Sequence, residues 1–268
     1  MEQLEFIAQV WLGSFISDLV RYFLGAGGVF LIVYVLFKKQ LAGRKIRTKH
    51  PRAKQMWREI RASMGSVAIY GFVGFLTFFG ARVGIIEFYG DIETHGWLYF
   101  WGSIFLMIVA HDAYFYWTHR LLHHPKLMRL SHYYHHKSMN PSPWTAYSFD
   151  PIETAVNAVF VPLFLLFVPM NHWATFIFMG HMIVRNAIGH SGYELFPRSW
   201  AKHPILGQIN LVTHHDLHHA NGQYNYGLYF SWWDRLMGTE HPEYVARASG
   251  DATAVYNMPE RDQAPSPS

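Results

Sequence analysis

Three histidine clusters carry the chemistry legible in this chain: His119-Arg-Leu-Leu-His123-His124, His132-Tyr-Tyr-His135-His136 and His214-His215-Asp-Leu-His218-His219. Residues at i, i+3 and i+4 share one helix face, so His119 with His123, His132 with His135 and His136, and His215 with His218 and His219 can each aim imidazoles at one point. A neutral imidazole buried without a partner loses hydrogen bonds, so core packing alone does not ask for this repetition. Eight ring nitrogens exceed what one metal ion accepts, which predicts two metals. All-imidazole ligation suits Fe, Zn, Cu or Ni, and the spacing leaves that choice open.

The wider composition points the same way. Of 18 histidines, 15 fall between His111 and His219, and there is no cysteine. Disulfides, iron–sulfur clusters and thiolate metal sites are therefore excluded, leaving His, Asp or Glu as ligands. The other histidines read differently. His172 and His181 sit singly in apolar runs as structural hydrogen-bonders, and His50, His95, His203 and His241 as exposed or capping groups. His111, beside Asp112, lies two helical turns before His119 on a similar face. His124, at i+5 from His119, falls off the ligand face, whereas His214, four before His218, can ligate or support a ligand.

The elements that must position these rings are membrane helices. The 268 residues are 51% hydrophobic and 15% charged, a poor recipe for a water-exposed surface. Tyr22 to Phe37 is almost wholly apolar and supplies one crossing, with Phe6 to Val20, interrupted by Asp18 and Arg21, as an interfacial lead-in. Further runs extend from Met64 to Ile86, containing Arg82, and from Trp97 to about Trp117. Ile152 to Ile188 is too long for one span, and Pro162, Pro169 and Asn171-His172 mark a turn, so it reads as a helical hairpin. Between Lys38 and Arg61 ten Lys/Arg face one acid, Glu59. The positive-inside rule puts this loop in the cytoplasm, and alternating crossings then bring the histidine clusters to the same side. Without a recognition helix or zinc finger, the basic run does not read as a nucleic-acid site. The expected fold is an all-α integral membrane protein of about four transmembrane helices with a cytoplasmic helical cap. Its parts are an N-terminal membrane region (1–96), a catalytic domain (97–240) and a loose polar tail (241–268). The N-terminus lacks a basic n-region and a cleavage site, so no signal peptide is expected.

Beyond the clusters, Tyr116-Trp-Thr-His119, His190-Ser-Gly-Tyr-Glu194 and Trp232-Trp-Asp-Arg-Leu-Met-Gly-Thr-Glu240 complete a pattern running from about Trp97 to Glu240. It resembles the fatty acid hydroxylase superfamily, which includes sterol desaturases, sterol C4-methyl oxidases and fatty acid hydroxylases. The motifs are most like the C4-methyl oxidases, while Asn225-Tyr-Gly227 resembles the sterol C5-desaturase branch. The resemblance implies metal ligands at His119, His123, His132, His135, His136, His215, His218 and His219, and another at His190. Some family members carry a further histidine four residues before the His190 position; here that residue is Asn186, which leaves His214 as the reserve for a tenth ligand. Asp234 and Arg120 are expected to organise the surroundings rather than bind metal.

The resemblance also implies two iron ions per chain, replaceable by zinc in a purified sample, that use O2 to hydroxylate or desaturate a C–H bond of a lipid, a sterol among the candidates. An acyl, sphingoid, ornithine or ether lipid or a carotenoid would suit the same chemistry. Tyr133, Tyr134, Trp144, Tyr147, Phe149, Tyr224 and Tyr229 are candidates to line the substrate passage. Two electrons per turnover are needed, and Gly25-Ala-Gly-Gly28 lies in an apolar run without the strand a dinucleotide fingerprint requires. An external carrier, cytochrome b5-like or ferredoxin-like, is therefore expected. A histidine-rich metal transporter is the competing class, but its histidines would lie within the spans.

Overall fold

The computed structural model describes residues 2–251, which are mostly helical with almost no strand. Three helices are long and apolar enough to cross a membrane: α1 (Glu2–Leu36), α2 (Ala53–Arg82) and α3 (Gly96–Leu122). Large apolar side chains face outward along them, Leu98 being 90% exposed, as a lipid-facing surface requires. Short helices α4 (Pro125–Ser131) and α5 (Tyr133–His136) follow. The expected hairpin is present as α6 (Pro151–Leu165) and α7 (His172–Gly189), joined by a turn at 166–171. Its two members are shorter than the three long helices, at 15 and 18 residues. The chain closes with α8 (Val212–Ala220), α9 (Trp232–Leu236) and α10 (Tyr244–Ser249). The one strand pairing among the described residues, β1 (Phe88–Tyr89) with β2 (Met170–Asn171), is parallel and ties the hairpin turn to the α2–α3 connection.

Two sequence expectations change. The N-terminal lead-in and the first span are one helix of 35 residues, because Asp18 and Arg21, which interrupt the apolar run, lie one turn apart and pair with each other. That helix contains wide π-helical turns at Phe23–Gly27 and Leu31–Leu36. The first brings the backbone so close to α7 that a Cβ on Gly25 would stand 2.7 Å from Ile183 Cγ1. The polar stretch after Glu240 is also folded as far as α10, since Tyr244 and Ala248 are buried against Ala201, Leu211 and Leu217. The rest of that tail, 252–268, lies outside the described residues.

Two apolar cores hold the long helices. Tyr22, Val29, Val67, Tyr147 and Ile183 join α1, α2 and α7, and Phe100, Met107, Phe160, Met170 and Phe178 join α3 to the hairpin. Four of the ten basic residues of the loop, Arg44, Lys45, Arg47 and Arg58, are half-buried, and the other six are exposed. Arg44 donates to the carbonyls of Glu194 and Leu195 at 3.3 and 3.1 Å, and Arg47 reaches the Asp216 carboxylate on α8 at 2.7 Å. Arg58 donates to Lys137 O at 3.1 Å.

Candidate metal centre

Helix ends assemble the site. The last turn of α3 carries His119 and its C-cap His123; α5 carries His135 and His136 behind its N-cap His132; His190 caps α7; α8 carries His215, His218 and His219. These nine side chains form two groups: His119, His123, His132, His136 and His218, and His135, His190, His215 and His219, with the potential ligand atoms of each group all within 4.8 Å of one another. The groups adjoin, since the His132 and His135 rings are 5.0 Å apart, as are those of His136 and His219.

The expectation that each cluster aims at one point is corrected by this partition. The i, i+4 pairs 119/123, 132/136 and 215/219 each stay together, but the intervening His135 and His218 cross to the other group. Successive residues turn by about 100° around a helix, so the i+3 ring leans to one side of the pair's direction and meets a second centre there.

The ring nitrogens indicate what fills each centre. Nδ1 of His119 faces Tyr226 O at 2.9 Å, of His218 Tyr224 O at 2.7 Å, of His135 Ser148 O at 3.2 Å and of His190 Asn186 O at 2.7 Å. A carbonyl only accepts, so each of these Nδ1 atoms carries the proton and leaves a bare lone pair on Nε2. Those Nε2 atoms converge. His190 Nε2 lies 3.3 Å from His135 Nε2 and 2.9 Å from His215 Nε2, and His219 Nε2 is 3.1 Å from the latter. In the other group His119 and His132 Nε2 are 3.0 Å apart, and His136 Nε2 is 3.2 and 3.1 Å from those of His123 and His218. The His135 and His190 lone pairs therefore face each other with no proton to share, an arrangement that a cation between them relieves. Two nitrogens at right angles around a metal with bonds of about 2.1 Å stand about 3 Å apart, matching this spacing. The donor set thus fits two imidazole-bound metal ions.

Electrostatics favour the same state. Burial first, and then the mutual repulsion of their neighbours, holds His132, His136, His215 and His219 well below the usual imidazole range. These rings are neutral near pH 7, the form that ligates metal.

Surrounding groups set the ring orientations. Asp234 accepts from the backbone N–H of Tyr226 and Gly227 at 2.9 and 2.8 Å, fixing the carbonyl that orients His119. Asn225 takes φ of 60° and bonds His214 O and His241 N, which accounts for the Asn225-Tyr-Gly227 run. Glu194 accepts from Val212 N, Thr213 N and Thr213 Oγ1, capping the start of α8. Sequence reasoning missed Glu153, whose carboxylate lies 2.7 Å from His132 Nδ1 with both groups buried. An acid at the head of an apolar helix was the available signal.

His214 belongs to neither group, which corrects its place as reserve ligand: its Nε2 stands 3.3 Å from Asp234 Oδ2 and its ring packs on Tyr244. Asn186, at the position of the absent histidine, donates to Ala146 O and accepts from His190 instead. His111 bonds the Tyr229 hydroxyl at 2.8 Å, and His124 caps α4 from an exposed position. None of the seven aromatics expected to line a passage does so in the large cavity, where Tyr70, Phe78, Phe88 and Phe176 appear instead. Of the seven, Phe149 approaches the site, 5.1 Å from the His135 ring.

Fold and site together define a mostly helical protein with three helices long and apolar enough to cross a membrane and, at its helix ends, two groups of histidines that could hold metal ions. The chain belongs to the fatty acid hydroxylase family, whose model matches residues 104–239. It is 32% identical over 218 residues to Delta(7)-sterol 5(6)-desaturase ERG3B of Gibberella zeae, covering 80% of this chain and 65% of that protein. It is 27% identical over 263 residues to Delta(7)-sterol 5(6)-desaturase erg3C of Aspergillus fumigatus, covering 90% and 80%. To lathosterol oxidase of Rattus norvegicus it is 28% identical over 222 residues, covering 80% and 71%. These relatives are sterol desaturases, the branch that Asn225-Tyr-Gly227 resembles, rather than C4-methyl oxidases. No solved structure matches the chain.

Proposed function

We propose that this protein is a membrane-bound, O2-dependent di-iron oxidoreductase that desaturates or hydroxylates a C–H bond of a lipid, with a sterol as the first candidate. The observation that carries the reading is the convergence of nine imidazoles, with Nε2 atoms about 3 Å apart, in a chain of this family. In this reading His119, His123, His132, His136 and His218 hold one iron, and His135, His190, His215 and His219 the other. Zinc suits the same donors and would replace iron in a purified sample.

Bound iron would supply the reduction of O2 and the removal of hydrogen from an unactivated C–H bond. The chain's own residues supply the rest. The carbonyls of Tyr226, Tyr224, Ser148 and Asn186 hold the imidazoles in one tautomer and one orientation. Burial keeps the rings neutral and water away from the oxidising centre. Phe149 supplies an apolar contact beside His135. The four-histidine centre has fewer protein donors, leaving it room for O2 or substrate.

We place the Lys38–Arg61 loop and the histidine clusters on the cytoplasmic face, with the α6–α7 hairpin completing about four crossings. Electrons come from an external one-electron carrier protein, cytochrome b5-like or ferredoxin-like. Lipid mass spectrometry of cells with and without the gene tests the function. The expected result is a lipid that has lost two hydrogen atoms or gained one oxygen atom only when the gene is present; identical lipid profiles would overturn it.

A further inference from the structure

A cavity of ≈ 830 Å³ lies between α1, α2, α6 and α7; His172 lines it, but none of the nine clustered histidines does. Its size falls within the roughly 300–1,000 Å³ typical of small-molecule pockets. Gly13, Ser17 and Phe176 on its rim are exposed, so it opens on the flank of the bundle, where lipid would be. Most of its wall is apolar, but it also contains polar groups that a membrane interior makes costly. The Asp18–Arg21 pair lines it, with side chains only 7% and 14% exposed, and Arg21 Nε has no hydrogen-bond partner. Ser14 and Asn157 line it too, neither making a side-chain hydrogen bond among the described residues. A buried guanidinium nitrogen without a partner on the wall of a cavity, beside two half-buried polar side chains, points to a ligand site rather than a packing solution.

Charge selects the ligand. The charges that line it balance, Asp18 against Arg21 in the buried part and Arg82 with Glu87 at exposed positions, so the wall has no net charge and favours a neutral group over a carboxylate or phosphate, which would meet the Asp18 oxygens. A hydroxyl both donates and accepts, and so can satisfy Arg21 Nε and the Asn157 amide together. The cavity is also coupled to the metal centre by its helices. On α6, Glu153, Asn157 and Val161 form one i, i+4, i+8 stripe, with Glu153 against His132 and the other two in the cavity wall. On α7, Met182 lines the cavity eight residues, or about 12 Å of helix rise, before His190.

We propose that this cavity binds one neutral lipid bearing a hydroxyl group, held by Asp18, Arg21 and Asn157. Resting on the oxidoreductase reading above, the site seats the substrate before it reaches the irons.

The test uses the full metal-loaded chain in phosphatidylcholine vesicles and two photoreactive probes, a diazirine-bearing cholesterol and a diazirine-bearing palmitate. Peptide mapping is expected to find the sterol probe on α1, α2 and α7 within the cavity wall, with excess unlabelled cholesterol suppressing it. Asn157→Leu should weaken that labelling about tenfold, the scale of one lost hydrogen bond. Val73→Trp, which fills the space, should abolish it, with metal content and melting temperature in both variants near wild type. Equal labelling by palmitate, labelling spread over outer lipid-facing positions, or labelling unchanged in both variants would overturn the proposal. Labelling requires no turnover, so a protein that is labelled in the cavity but oxidises no lipid would count against the proposed function and not against this site.

Discussion

The Glu153 carboxylate stands 2.7 Å from Nδ1 of His132, with both residues buried, while Nε2 of the same ring lies 3.0 Å from that of His119. The acid on the hairpin thus lies against a ring that another part of the chain brings to the five-histidine group. Supports of this kind are typically worth about 10–100-fold in metal affinity or activity. Glu153→Gln should lower metal retention on that scale under dialysis against a chelator, measured by elemental analysis. Retention equal to wild type would show that His132 is oriented without it.

The two groups predict two metals per chain after anaerobic reconstitution with Fe(II). His135→Ala removes one of four donors from the smaller group and should lower the content towards one. It should also abolish lipid oxidation. A wild-type stoichiometry of one or less would sink the two-centre site.

Gly222 closes over the five-histidine group. A Cβ there would lie 2.8 Å from His123 Cε1 and 3.6 Å from His136 Cε1. Gly222→Val should therefore displace His123 and lower metal content, whereas Gln223→Val, on an adjacent residue outside the groups, should not. Equal metal content in the two variants would contradict the contact.

Arg47 and Asp216 couple the basic loop to the helix carrying the last histidine box, at 2.7 Å with side chains 10% and 6% exposed. Burial pushes the Asp216 carboxyl up and Arg47 draws it back. Arg47→Met leaves a buried carboxylate without its partner and should cost about 3 kcal/mol. The readout is the melting temperature in detergent, and the double variant Arg47→Met/Asp216→Leu should recover much of the loss. No change in the single variant would mean the pair contributes nothing.

Stability of the metal-free protein should fall on acidification. Burial lowers the His190 imidazole from 6.5 to about 4. The unfolded chain therefore binds more protons than the folded one between those values, and stability present above pH 6.5 is lost as pH falls towards 4. Thermal melts of metal-free protein from pH 7.5 to 5 should show a steady decline, and a flat profile would show that the imidazoles gain no folded-state burial penalty.

Local patterns explain what could be read early. The i, i+4 spacing of His119/His123, His132/His136 and His215/His219 survives in the structure because helix periodicity is a property of a few neighbouring residues. The long apolar helices and the hairpin turn near Pro169 were legible for the same reason. Asp18 and Arg21 were misread as a break, since their charges compensate each other only once the helix exists. Tyr244 was misread as tail because its burial depends on Leu211 and Ala201, more than 30 residues earlier.

The sequence by itself determined the donor type, the three clusters, the membrane helices and the family. Only the tertiary structure decided that His135 and His218 cross to the opposite groups, that Glu153 backs His132, that His214 turns to Asp234, and that a mostly apolar cavity with the Asp18–Arg21 pair in its wall opens between α1 and α7. The physical reason is range. Spacing sets the direction of each ring about its own helix, but the point where rings meet depends on how helices distant in sequence cross and which buried acceptors they bring along.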